Sequence, residues 1–108
     1  MSLIELYNVL IHVDGFAGKV AYRAFPEQRA PALPFICYLE RSSDNFVADN
    51  RVFHKISQVD VELYTDIKEP DTESKVESAL DDAGLPWAKS EDWIESERCF
   101  LITYTIEM

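Results

Sequence analysis

Proton transfer, metal binding or phosphate binding in this 108-residue chain would fall to two histidines, two cysteines, three glycines and twenty carboxylates. His12 belongs to a helical face and His54 follows Phe53 at a strand start, so the two stand far apart in sequence and neither has a catalytic setting. A surface or edge role suits both. Cys37 and Cys99 each lie inside an apolar run with no Cys or His at metal-ligand spacing, which makes each a small buried hydrophobe. A disulfide between them is allowed but unneeded. Gly15, Gly18 and Gly84 cannot be assembled into a strand-to-helix phosphate loop. Asp44 and Asp49 flank an aromatic and offer the oxygens calcium takes, but their spacing is not that of an EF-hand, and Asp and Asn are ordinary turn residues. Asp81 and Asp82 fall near a helix C-terminus, where they oppose the dipole; a solvated face is the plain reading and a partner contact the sharper one. The expectation is a chain that is not an enzyme, with no catalytic residue, no metal and no cofactor.

A chain of this length makes one domain, residues 1–108, with a single core layer and no second lobe to close a cleft. Acidic residues outnumber basic ones by 20 to 10, and the formal charge of −10 repels a phosphate backbone over most of the surface. Sequence-reading nucleic-acid binders are disfavoured. The start, MSLIELYNVLIHV, has neither the basic residues nor the cleavage site of a signal peptide, and no apolar run is long enough to span a membrane. These features point to the cytoplasm and away from membranes.

The elements that must hold these residues follow from periodicity. Leu3, Leu6, Leu10 and Val13 recur at helical spacing, with Tyr7 and Ile11 widening the stripe before Asp14 and Gly15 stop it. Lys19 to Phe25 suits a strand, Pro26 to Pro34 a connecting loop, and Phe35 to Glu40 a strand. The polar stretch around Ser42 to Asn50 reads as a loop. Val59, Val61 and Leu63 alternate with Asp60, Glu62 and Tyr64, a strand with one core face and one wet or shared face. Pro70 opens a second helix, Asp71 and Glu73 complement its dipole, Val76, Ala79, Leu80 and Ala83 form its buried stripe, and Gly84 ends it. Trp87 to Ile94 and Cys99 to Glu107 make a final hairpin around Glu95 to Arg98, with Phe100, Ile102, Tyr104 and Ile106 on one face. The fold class is α+β: a mainly antiparallel or mixed sheet of four to five strands with two helices packed on one face.

Aromatics are the surplus. Trp87, Trp93, Tyr22, Phe25, Phe46 and Phe53 exceed what one thin core layer needs, and aromatic side chains dominate interface energetics. Phe46, set among Ser42, Ser43, Asp44, Asn45, Asp49 and Asn50, is the clearest interface candidate, and Asp44, Asp49, Phe53 and Trp93 join it.

The succession AYRAFPE, APALPF, SDNFVADN, VELYTD and WIESE, covering about residues 19–108, resembles the small tail-terminator or tail-completion proteins of long-tailed phages and prophages of Gram-positive bacteria. That resemblance implies a structural protein that forms a ring, typically of six copies, at the head-proximal end of the tail tube. Such a ring halts tube polymerisation and presents a surface to the head. Its partners would be further copies of itself, the major tail tube protein and the head connector or completion proteins. No reaction or cofactor is implied. DNA would pass through the lumen without sequence-specific binding, and an acidic lining would keep it from adhering. The protein would then occur in the host cytoplasm during assembly and afterwards in the virion tail. A head-completion or adaptor protein of the same junction is the neighbouring alternative. A small acidic binding module is the alternative from a different class.

Overall fold

Alternation decides which side of the sheet is core. The computed structural model describes residues 1–43, 46–48, 51–54 and 56–108, and side chains for all of these except residues 43–55. In chain order the elements are α1 (Leu3–Ile11), β1 (Val20–Tyr22), β2 (Phe35–Ser43), β3 (Phe46–Ala48), β4 (Arg51–His54), β5 (Ser57–Thr65), α2 (Pro70–Asp82), β6 (Trp87–Ile94) and β7 (Cys99–Glu107). Five strands form one sheet in the order β1-β2-β5-β7-β6. The β1–β2 pair is parallel and the other three pairs are antiparallel.

Cross-strand register puts Tyr38, Val61 and Tyr104 in one row and Ile36, Leu63 and Ile102 in the next. All six side chains are buried beneath Leu6 and Leu10 of α1 and Val76 and Leu80 of α2, so both helices cover the same face. This is the expected α+β domain. On the opposite face the rows read Cys37, Glu62, Thr103 and Ser90, then Leu39, Asp60, Thr105 and Ala88.

Local chemistry sets the helix ends. Ser2 and Glu5 form a reciprocal capping box at the start of α1, each side chain accepting from the other's backbone N–H at 3.1 Å. Glu69 precedes α2 without capping it through its side chain, and Pro70 takes the first turn. Beyond α2, Gly84 adopts φ 73°; its N–H donates to Asp81 O and that of Leu85 to Leu80 O, both at 3.0 Å. That left-handed residue ends the helix and tucks Leu85 into the core, the double bond pattern of a Schellman turn.

Two expectations change. The first strand is shorter than Lys19 to Phe25: it ends at Tyr22 because Arg23 turns into the left-handed region at φ 68°, its N–H donating to Tyr38 O at 2.7 Å. The stretch read as a loop instead continues β2 to Ser43 and then forms the antiparallel ribbon β3–β4, with Phe46 opposite His54 and Ala48 opposite Arg51. Phe46 and Phe53 are therefore on strands.

Candidate functional site

The ribbon fills the chain between Ser43 and Ser57, which are themselves partners in the β2–β5 ladder. It therefore leaves the five-stranded sheet at one end of that long hairpin and forms a sheet of its own. Among the described residues its ladder partners are its own two strands. A lone two-stranded ribbon is marginally stable in water and gains from something to lie against. The molecule is correspondingly long, with extents of 49 × 29 × 23 Å and a radius of gyration of 14.8 Å, against about 13 Å for a compact chain of 100 residues. Of the five sequence-derived interface candidates, Phe46 and Phe53 have their backbones on this ribbon, with side chains outside the described residues. Asp44 and Asp49 lie outside them altogether.

Trp93 lies elsewhere, on the edge strand β6. Its ring packs against Phe100 at 4.9 Å between centroids, its indole N–H donates to Glu95 at 2.6 Å, and the Arg98 guanidinium lies 5.5 Å from its ring centre. It remains 43% exposed. The structure thus separates the candidates into a ribbon at one end of the β2–β5 hairpin and a tryptophan on the far edge of the sheet.

Between α2 and β6 lies an ionic network centred on Glu73, whose first-turn position by itself implies only complementation of the helix dipole. Glu73, 2% exposed, meets Lys68 Nζ and Lys89 Nζ at 2.7 Å each. Its Oε2 makes that contact with Lys68 as an ion pair, without the alignment of a hydrogen bond. Lys89 also reaches Glu77 at 2.8 Å, and Glu77 accepts from the Tyr104 hydroxyl at 2.8 Å. Glu73 shares the buried stripe of α2 with Val76 and Leu80, and that position was the available signal. The arrangement ties α2 to the β6 edge.

Burial opposes ionisation of Glu73, yet the Lys68 and Lys89 ammonium groups, each 2.7 Å from a carboxylate oxygen, outweigh it and hold the carboxyl below its ordinary value. The Glu73 carboxylate in turn raises both lysines, helped by Glu91 at Lys68 and by Glu77 at Lys89. Glu73 therefore contributes its full stability above the ordinary carboxyl value of 4.5, and that contribution is lost as pH falls through the lower folded value. The lysines contribute fully below 10.5 and lose their contribution as pH rises through the higher folded values. Melting temperature should be flat between about pH 5 and 10 with respect to this network. Glu73→Gln should lower the plateau and shrink the loss on its acid side. An unchanged acid limb in that variant would separate Glu73 from the pH dependence.

The sheet face away from the helices is partly covered by the Pro26 to Pro34 connection, where Phe25 packs edge-on against Phe35 at 5.2 Å and Phe35 meets Tyr64 at 5.1 Å. Tyr64 donates its hydroxyl to Glu62 at 3.2 Å, and Thr105 donates to Asp60 at 3.1 Å. Cys37 and Cys99 are buried free thiols, as the apolar runs around them imply. Burial, with Glu62 adding to it, pushes the Cys37 thiol up to about 11, so it is held protonated and unreactive at neutral pH. Cys37 pairs through Glu62 with Thr103, four residues along β7 from Cys99. At strand rise that offset is about 13 Å, twice what a disulfide spans.

His12 follows α1, and its Nδ1 bonds to the Asn8 carbonyl at 2.6 Å, so one ring nitrogen is taken up by its own helix end. The shallow groove beside it, about 380 Å³, is crossed by the Lys75 to Asp14 ion pair at 3.2 Å. Among the described residues no three His, Cys, Asp or Glu side chains converge as metal ligands, and no helix is long and apolar enough to cross a membrane. Among the described residues of this small α+β domain, the exposed aromatics Tyr22 and Trp93 stand on the two edge strands, β1 and β6. No protein-family model matches the chain, and no curated protein matches it.

Proposed function

We propose that this protein is a structural component of a phage tail, capping the head-proximal end of the tail tube as a ring, stopping tube polymerisation and allowing the head to join. The observation that carries the reading is the β3–β4 ribbon, a separate two-stranded sheet that leaves the end of the β2–β5 hairpin. A lone two-stranded ribbon is marginally stable in water, and a neighbour to lie against would offset the conformational entropy of ordering it. The ribbon carries Phe46 and Phe53, aromatics of the kind that anchor interfaces. The resemblance of the sequence to tail-terminator proteins supplies the kind of neighbour: further copies of the ring, the tail tube protein and the head connector.

The role requires no reaction, metal or cofactor, and it places the protein in the host cytoplasm during assembly and in the virion tail afterwards. Phe46→Asp should leave the melting temperature of the isolated protein within a few degrees of the wild type and weaken its co-sedimentation with purified tail tubes. A hot-spot loss in binding is on the order of 2 kcal/mol or more, some thirtyfold in affinity. Undiminished binding would remove the ribbon from the contact. A variant that cannot fold would make Phe46 part of the protein's own core.

A further inference from the structure

Where the Pro26 to Pro34 connection meets the sheet it leaves a cavity of about 280 Å³. Ala30 and Leu33 of the connection line it, with Phe35 of β2, Tyr64 of β5, Glu97 of the β6–β7 turn and Cys99 at the start of β7. Phe35 and Tyr64 are register partners with ring centroids 5.1 Å apart. They stand at the end of the β2–β5 ladder opposite the Ser43 and Ser57 pair from which the ribbon leaves, so the cavity is remote from the ribbon. Leu33, Phe35 and Tyr64 are each half-buried, which leaves apolar and aromatic surface in the lining.

The polar groups of the lining are few and of one sign. The Tyr64 hydroxyl donates to Glu62 at 3.2 Å, and burial, with Glu62 adding to it, raises that phenol above its ordinary value. Burial likewise raises the Cys99 thiol, and the charge of Glu97 adds to it. Both groups are neutral at physiological pH. The charged side chain of the lining is Glu97. The adjacent cation does not neutralise it: Arg98, at φ 50°, turns its guanidinium to Glu95 at 3.0 Å and to 5.5 Å from the Trp93 ring centre. Among the described residues Glu97 has no ion pair. The neighbouring cavity, which shares Ala30, Phe35 and Tyr64, is lined instead by one charge of each sign, Arg23 and Glu27.

We propose that this cavity binds a small amphipathic amine, one aromatic ring or branched alkyl group carrying a single ammonium. The apolar part displaces water from Leu33, Phe35 and Tyr64, and the ammonium meets the Glu97 carboxylate. An ammonium also gains from the faces of the two rings. A carboxylate of the same shape would meet Glu97 as a like charge, and the formal charge of −10 repels it at longer range. The volume lies just below the usual range of ligand pockets, about 300–1,000 Å³, which limits the occupant to a single ring or its equivalent. Walls on both the connection and the sheet suit a free small molecule better than a flat partner surface. The site neither requires nor excludes tube capping.

Nuclear magnetic resonance titration of the full chain with phenethylamine, 2-phenylethanol and phenylpropionate tests it, because the three share a ring and a two-carbon spacer and differ in charge. Phenethylamine should shift the amide signals of Ala30, Leu33, Tyr64, Glu97 and Cys99 saturably, with a dissociation constant on the order of 1 mM. The alcohol should bind roughly fivefold more weakly, the difference an exposed ion contact makes, and phenylpropionate more weakly still. Glu97→Gln should bring the amine to the affinity of the alcohol and leave the alcohol unchanged. Ala30→Phe, which fills the cavity, should weaken the amine and the alcohol alike. Glu97 and Ala30 are exposed, so both variants should fold; the three wild-type titrations and Glu97→Gln decide the matter if Ala30→Phe does not. No saturable shift at these residues, shifts centred elsewhere, equal affinity for amine and phenylpropionate, or an amine preference that survives Glu97→Gln overturns the proposal.

Discussion

Val61→Asp should abolish the cooperative unfolding transition at room temperature, while Thr103→Lys, on the neighbouring strand, melts within a few degrees of the wild type. Val61 is fully buried at the centre of β5, in register with Tyr38 on one side and Tyr104 on the other and on the face covered by the helices. A carboxylate placed there has no cation opposite it in either register partner, and the effective cost of burying an unpaired ion is several kcal/mol. That is comparable with the whole stability of a small domain, about 5–15 kcal/mol. Thr103 occupies the other face, opposite Glu62. A lysine there gains an opposite-charge cross-strand pair, a contribution of about 0.2–1 kcal/mol. Thermal melts followed by circular dichroism give the contrast directly. Equal tolerance or equal loss in the two variants would mean that the faces are wrongly assigned.

Where one physical pattern ruled a segment, the sequence was sufficient. Val59, Val61 and Leu63 alternate with Asp60, Glu62 and Tyr64, and the β5 strand puts the first three beneath the helices. Pro70 and Gly84 bracket α2 because one has no N–H to lose at a first turn and the other accepts the left-handed turn that ends the helix. The segment from Ser42 to His54 was harder, because Ser, Asp and Asn carry the same turn preference in a loop as in the connection of a hairpin. Two residues, Asp49 and Asn50, separate β3 from β4 in sequence, which is the length of a tight hairpin connection, and Phe46-Val47 and Val52-Phe53 on either side have strand-forming side chains. Turn composition outweighed those short runs.

The ionic network was hidden for a different reason. Glu73, Lys68 and Lys89 meet only once α2 lies on the β6–β7 hairpin, and a glutamate in the first turn of a helix has a sufficient local explanation in the dipole. Its place three residues before Val76 and seven before Leu80, on the buried stripe, was the sign that it must find cations. Of the interface candidates, Trp93 was legible as an aromatic in excess of the core, and it is exposed.

The capping role is tested most directly by electron microscopy of lysates from a phage or prophage whose copy of this gene is deleted. A tube with nothing to halt its growth keeps adding subunits, and a tail without its terminal ring has no surface for the connector. The expected particles are DNA-filled heads beside unattached tails of irregular, often excessive length, with joining restored by the purified protein only on tubes that still have the correct length. Unattached tails of uniform length beside heads that leak DNA would contradict tube capping and assign the protein to head completion. Particles normal in every respect would remove it from virion assembly.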